Sequence, residues 1–96
     1  ETSLLIIDDD ANLLKNFRKL FANSYDVKTA MSAKEAITAI KLGFVPGVII
    51  ADQDMPHYLG SKLLNDLTKL VPNASKILLF THVDSKIIAE HLNVSK

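Results

Sequence analysis

The sequence predicts an α/β fold, an open parallel sheet with helices on both faces, and two observations predict it. Short apolar runs at 4–7, 48–51 and 77–80 carry no polar interruption, as strands buried on both faces require. Between them lie segments whose apolar residues recur every three or four positions, so strand and helix alternate as βαβαβαβα.

Leu4 to Ile7 is the first such run and reads as a central strand, which Asp8, Asp9 and Asp10 break. Leu13, Leu14, Phe17, Leu20 and Phe21 then form one apolar stripe on a helix of about 12 residues. Tyr25, Val27 and Thr29 alternate with Asp26 and Lys28, the period-two pattern of a strand nearer the sheet edge. Ser32 and Glu35 form a capping box that opens a second helix, with Ala36, Ile37 and Ile40 inward and Gly43 closing it. Val48 to Ala51 is a second buried strand ending at Asp52, and Pro56 to Gly60 is a loop. A third helix turns Leu63, Leu64, Leu67 and Leu70 inward and stops at Pro72. Ile77 to Phe80 is a further strand ending at Thr81, and Asp84 caps a last helix through Ile87, Ile88 and Leu92.

With 96 residues, 48% of them apolar and 23% charged, the chain has the composition of one globular domain. Eleven basic residues balance eleven acidic ones, so no overall field draws it to nucleic acid or an anionic membrane. The absence of cysteine excludes disulfides and thiolate metal sites and fits a cytoplasmic setting. The opening segment ETSLLIIDDD is too short in apolar residues for a membrane span and reads as a strand.

In open parallel sheets, ligands bind beyond the carboxyl ends of the strands where strand order reverses. The polar residues fall at those ends: Asp8, Asp9 and Asp10 after the first strand, Asp52 and Asp54 after the third, Thr81 after the fourth. If strands one and three are neighbours, Asp9 and Asp52 face each other. Two carboxylates ~5 Å apart repel by roughly 3 kcal/mol at an effective dielectric of 20, a strain that a hard divalent cation removes. Oxygen ligands and a phosphate oxygen are the coordination that Mg²⁺ prefers. Asp52 could then attack a phosphoryl group, and a hydroxyl at Thr81 could hydrogen-bond a phosphoryl oxygen.

The segments LLIIDDDANLL, VIIADQDMPHYLG and ILLFT resemble, in order and spacing, three motifs of response-regulator receiver domains: an acidic pair, a phosphoacceptor followed by Met-Pro and a glycine, and a Ser/Thr switch. The resemblance implies a flavodoxin-like sheet of strand order 2-1-3-4 with the fifth strand missing, and one incomplete receiver domain over residues 1–96. It implies phosphorylation at Asp52 and a Mg²⁺ site of Asp8, Asp9, Asp52 and Asp54. Asp9 is the more direct ligand, and Asp54 contributes its backbone carbonyl. It makes Thr81 the switch and phosphate contact. Implied partners are a histidine kinase or phosphotransfer protein and an output domain outside this chain, with no direct nucleic acid or membrane contact. The resemblance describes a phosphoacceptor with no enzymatic turnover of its own beyond self-phosphorylation and autodephosphorylation.

Three features depart from the family pattern. His82 follows Thr81 where a small residue is usual, Asp54 adds a local negative charge, and the lysine of the fifth strand would fall beyond Lys96. An incomplete last layer would expose strand four as an edge, open to dimerisation or domain swapping.

Plainer readings stand beside these. The acids after strand one suit a solvated turn with a helix cap, Asp52 a loop acid, and Thr81 a turn residue; His57, His82 and His91 read as surface residues. Two rival functions follow: an interaction module that signals without phosphorylation, and a haloacid-dehalogenase-type phosphatase, whose D-x-D motif VIIADQD resembles.

Overall fold

The computed structural model describes residues 2–80. Thr81, His82, the helix expected from Asp84 through Ile87, Ile88 and Leu92, His91 and Lys96 lie outside the described residues. Seven elements follow in order: β1 (Ser3–Ile7), α1 (Ala11–Phe21), β2 (Asp26–Ala30), α2 (Ala33–Lys41), β3 (Val48–Asp52), α3 (Gly60–Leu67) and β4 (Ser75–Leu79). The strands form one parallel sheet in the order β2-β1-β3-β4, as the sequence predicts for its first four strands.

The pleat divides the core in two. Leu5 and Ile7 of β1 and Ile49 and Ala51 of β3 face α2 and α3, packing against Ala33, Ala36, Leu63, Leu64 and Leu67. Leu4, Ile6 and Ile50 point the other way, against Leu14, Phe17 and Phe21 of α1. Helices therefore cover both faces. Each fully buried leucine, such as Leu5, Leu63 or Leu67, contributes roughly 1.5 to 3 kcal/mol of burial.

Local chemistry sets the helix starts. The Asp10 carboxylate accepts from the N–H groups of Asn12 (3.0 Å) and Leu13 (3.2 Å), capping α1. For α2, Ser32 Oγ accepts from the Glu35 N–H at 3.1 Å. Glu35 reaches back past Ser32 to the Met31 N–H at 2.9 Å, a capping box displaced by one residue. Gly43, at φ 113°, ends α2 in a conformation that side-chain-bearing residues rarely adopt.

Three expectations need correction. Leu20 is 69% exposed, because the inward line of α1 runs through Leu14, Phe17 and Phe21 and leaves Leu20 on its flank. Leu70 is 44% exposed, because α3 ends at Leu67 and Leu70 falls in the following turn; Val71 packs on the core instead. The fourth strand runs from Ser75 to Leu79, and Ile77 and Phe80 are exposed. Among the described residues β4 pairs with β3 alone, so its flanks lack the cover that β1 and β3 enjoy.

Candidate functional site

The C-terminal ends of β1 and β3 converge because the two strands pair in parallel, Ile7 opposite Ala51. One step further along that register, Asp8 stands across from Asp52. Asp8 is therefore the buried neighbour of Asp52, where sequence reasoning set Asp9. Asp8 is 3% exposed and Asp52 2%, whereas Asp9 lies at the exposed mouth. Carboxylate oxygens of Asp8, Asp9 and Asp52 nevertheless lie within 4.8 Å of one another.

Asp8 owes its place to the sheet. The Asp8 N–H donates to the Ala30 carbonyl at 3.0 Å, extending the β1–β2 ladder to the base of the site. Asp8 Oδ1 accepts the Asp10 N–H at 2.9 Å. Asp8 Oδ2 is buried without a hydrogen-bond partner among the described residues. An orphaned carboxylate oxygen in a buried position is costly unless a cation or proton meets it. Burial raises the Asp8 pKa to about 6, opposed by the Asp10 N–H and reinforced by the charges of Asp52 and Asp9.

Asp54 falls outside the carboxylate group and its residue is exposed, in the turn after β3. That position is compatible with an expected contribution through the backbone carbonyl. The Asp54 carboxylate is not a member of the group that Asp8, Asp9 and Asp52 form. His57, also exposed, takes a positive φ of 68° in the same loop. Next to it, the Tyr58 hydroxyl donates to the Asp66 carboxylate, which also meets Lys62 at 3.5 Å. That hydrogen bond raises the Tyr58 pKa and lowers that of Asp66.

Two residues escaped sequence reasoning as parts of the site. Gly60 begins α3 so close to the end of β3 that a Cβ there would lie 2.2 Å from the Asp52 carbonyl oxygen. Gln53 ties the loop between β3 and α3 together, its Oε1 accepting the Ser61 N–H at 2.8 Å. The glycine belongs to the motif already singled out, although its close approach to Asp52 is visible only in three dimensions. Nothing in the sequence marks Gln53.

Fold and site together define a flavodoxin-like domain with an acidic pocket at the carboxyl end of its two central strands. The chain belongs to the response regulator receiver domain family, whose model matches residues 4–95. Receiver domains of this family serve two-component signalling and bind Mg²⁺ in an acidic pocket. Among curated relatives, the hydrogenase transcriptional regulatory protein HoxA of Cupriavidus necator is 28% identical over 93 residues, covering 97% of this chain and 19% of the relative. The chain thus spans about a fifth of the curated relatives it matches. Among solved structures, a CheY-like response regulator receiver domain protein from Methanospirillum hungatei is 27% identical, with a TM-score of 0.78, covering 96% of this chain and 74% of that one. A structure described as adenylate cyclase from Rhodopirellula baltica is 26% identical, with a TM-score of 0.81, covering 98% of this chain and 70% of that one.

Proposed function

We propose that Asp52 accepts a phosphoryl group from a histidine kinase or phosphotransfer protein in a Mg²⁺-dependent reaction. The observation that carries this reading is the buried carboxylate of Asp52 gathered with those of Asp8 and Asp9 at the mouth of the sheet. Asp8, Asp9 and Asp52 would hold the cation through their side chains and Asp54 through its backbone carbonyl. The orphaned Asp8 Oδ2 is a ready oxygen ligand of the hard kind that Mg²⁺ takes. When bound, the cation supplies positive charge that offsets the carboxylates and the incoming phosphoryl oxygens.

An Asp52 oxygen attacks phosphorus, an O–P bond forms, and the P–N bond of a phosphohistidine donor breaks, its electron pair leaving on the imidazole nitrogen. Asp8 and Asp9 do not react. They keep the pocket around Asp52 acidic, as an oxygen-bound divalent cation requires. Thr81, outside the described residues, is the proposed hydroxyl contact to the phosphoryl group. We place the domain in the cytoplasm, joined to an output domain beyond this chain. No described helix is long and apolar enough to cross a membrane.

The test is a Mg²⁺ titration with beryllofluoride followed by amide chemical shifts. A saturable response centred on β1 and β3, lost in Asp52→Asn, is expected. A response unchanged in Asp52→Asn sinks the reading.

A further inference from the structure

We infer that Gln53 is a positioning residue for the phosphoacceptor site, its side-chain oxygen standing in as the missing cap of α3 and so fixing the backbone between Asp52 and Asp54. The inference rests on the reading of Asp52 as phosphoacceptor and Asp54 as a carbonyl ligand.

Gln53 is the one residue between those two acids, and both peptide groups flanking it are tied down. Its N–H donates to the Leu79 carbonyl of β4 at 2.8 Å, and its carbonyl accepts the Gly60 N–H at 3.1 Å. Those bonds belong to the main chain, so any residue but proline could make the first and any residue the second. The third tie depends on the side chain: Oε1 accepts the Ser61 N–H at 2.8 Å.

The need for that third tie comes from α3. The first N–H groups of a helix lack partners within it, and a polar side chain at the cap position usually supplies one. The cap position of α3 is Leu59, which makes no side-chain hydrogen bond to the helix. Gln53 supplies the acceptor from eight residues away, closing loop 53–60 at its neck. Gly60 allows this closure, since a side chain there would strike the Asp52 carbonyl. With the neck closed, the peptides on either side of Gln53 cannot turn independently of α3, and Asp54, whose carbonyl lies one peptide further on, starts from a fixed backbone. Without the side-chain acceptor, the Gly60 N–H still holds the Gln53 carbonyl, but the first turn of α3 can swing about that single tie, and the backbone leading to the Asp54 carbonyl loses a constraint.

Two variants separate this role from simple bulk. Gln53→Met keeps the length of the side chain and removes the acceptor oxygen, while Gln53→Glu keeps an acceptor that suits a helix N-terminus. Mg²⁺ affinity is read from amide shifts of the whole 96-residue chain, and the rate of Asp52 labelling from acetyl phosphate. Thermal unfolding is recorded on the same samples. Gln53→Met is expected to weaken Mg²⁺ binding and slow labelling by about three- to tenfold, the equivalent of one hydrogen bond. Gln53→Glu is expected to stay within about twofold of the parent, since it preserves the acceptor. Parental affinity and rate in Gln53→Met overturn the inference alone, as does an equal loss in both variants. If Gln53→Met unfolds, a loss in folded Gln53→Ala matching that expected of Met carries the inference, and parental behaviour of Ala overturns it. Absence of any Mg²⁺ response in the parent chain overturns the phosphoacceptor reading itself, and this inference with it.

Discussion

At the scale of single residues, Asp8 governs how the site responds to pH. Its carboxyl is raised to about 6 by burial, against an ordinary value of 3.8 in the unfolded chain. The folded state therefore holds this proton more tightly than the unfolded state does. The stability it contributes is complete below about 3.8 and is lost as pH rises through about 6. Mg²⁺ needs the ionised form, so proton and cation compete for the same oxygens. Between pH 7 and about pH 5, Mg²⁺ affinity should fall about tenfold through Asp8. Titrations of the cation at those two pH values check this; equal affinities would remove Asp8 from the ligand set. The acids themselves were legible in sequence, because three of them end one apolar run and one ends another. Which acid is buried was not legible, since it depends on the register that sets Ile7 opposite Ala51.

At the scale of elements, the same helix fold serves two separable purposes. The start of α2 is a matter of stability: among the described residues the Ser32 hydroxyl bonds only the helix, and Ser32→Ala should cost about 1 kcal/mol in urea denaturation while leaving Mg²⁺ affinity unchanged. The start of α3 is a matter of function. Gly60→Ala places a methyl group 2.2 Å from the Asp52 carbonyl oxygen, a backbone atom that cannot rotate away. That crowding should cost about 1 to 3 kcal/mol and, by displacing either α3 or the end of β3, lower Mg²⁺ affinity as well. A Gly60→Ala protein that loses stability with unaltered affinity would show that the close approach is only packing. Element starts were readable from sequence where a side chain does the capping, as with Asp10 and Ser32. The end of α3 was not, because Thr68 turns its hydroxyl back onto the Leu64 carbonyl at 2.9 Å and the helix stops short of Pro72. The start of α3 after the loop ending at Gly60 was readable too, but its acceptor was not, since it comes from Gln53 in the turn after β3.

At the scale of the whole molecule, site and stability are in opposition. A sheet that is apolar on both faces ends in acids packed at its carboxyl edge, where Asp8 and Asp52 are buried. The parallel order β2-β1-β3-β4 makes that convergence unavoidable, which is why fold and site could be read together from the alternation of apolar runs and acids. Without a cation, near neutral pH, the folded state bears the cost of an ionised Asp8 in a buried place. Asp8→Asn removes that charge and preserves the oxygen that accepts the Asp10 N–H, while its amide gains donors to place against Asp9 or Asp52. The variant should therefore be more stable than the parent without Mg²⁺, by about 1 to 2 kcal/mol in a partly screened site. Adding Mg²⁺ should reverse the ranking. A ligand that binds only the folded state stabilises it in proportion to the logarithm of its saturation, about 2.7 kcal/mol at a concentration one hundred times the dissociation constant. The parent gains this increment and Asp8→Asn loses most of it. Urea denaturation of both proteins at pH 7, with and without saturating Mg²⁺, measures the crossing directly. If Asp8→Asn is the less stable without the cation, the Asp8 carboxylate is a structural acid whose charge the fold needs. If it keeps the full Mg²⁺ increment, the cation is held elsewhere, and the acidic edge of the sheet loses its role as the reason stability was given up.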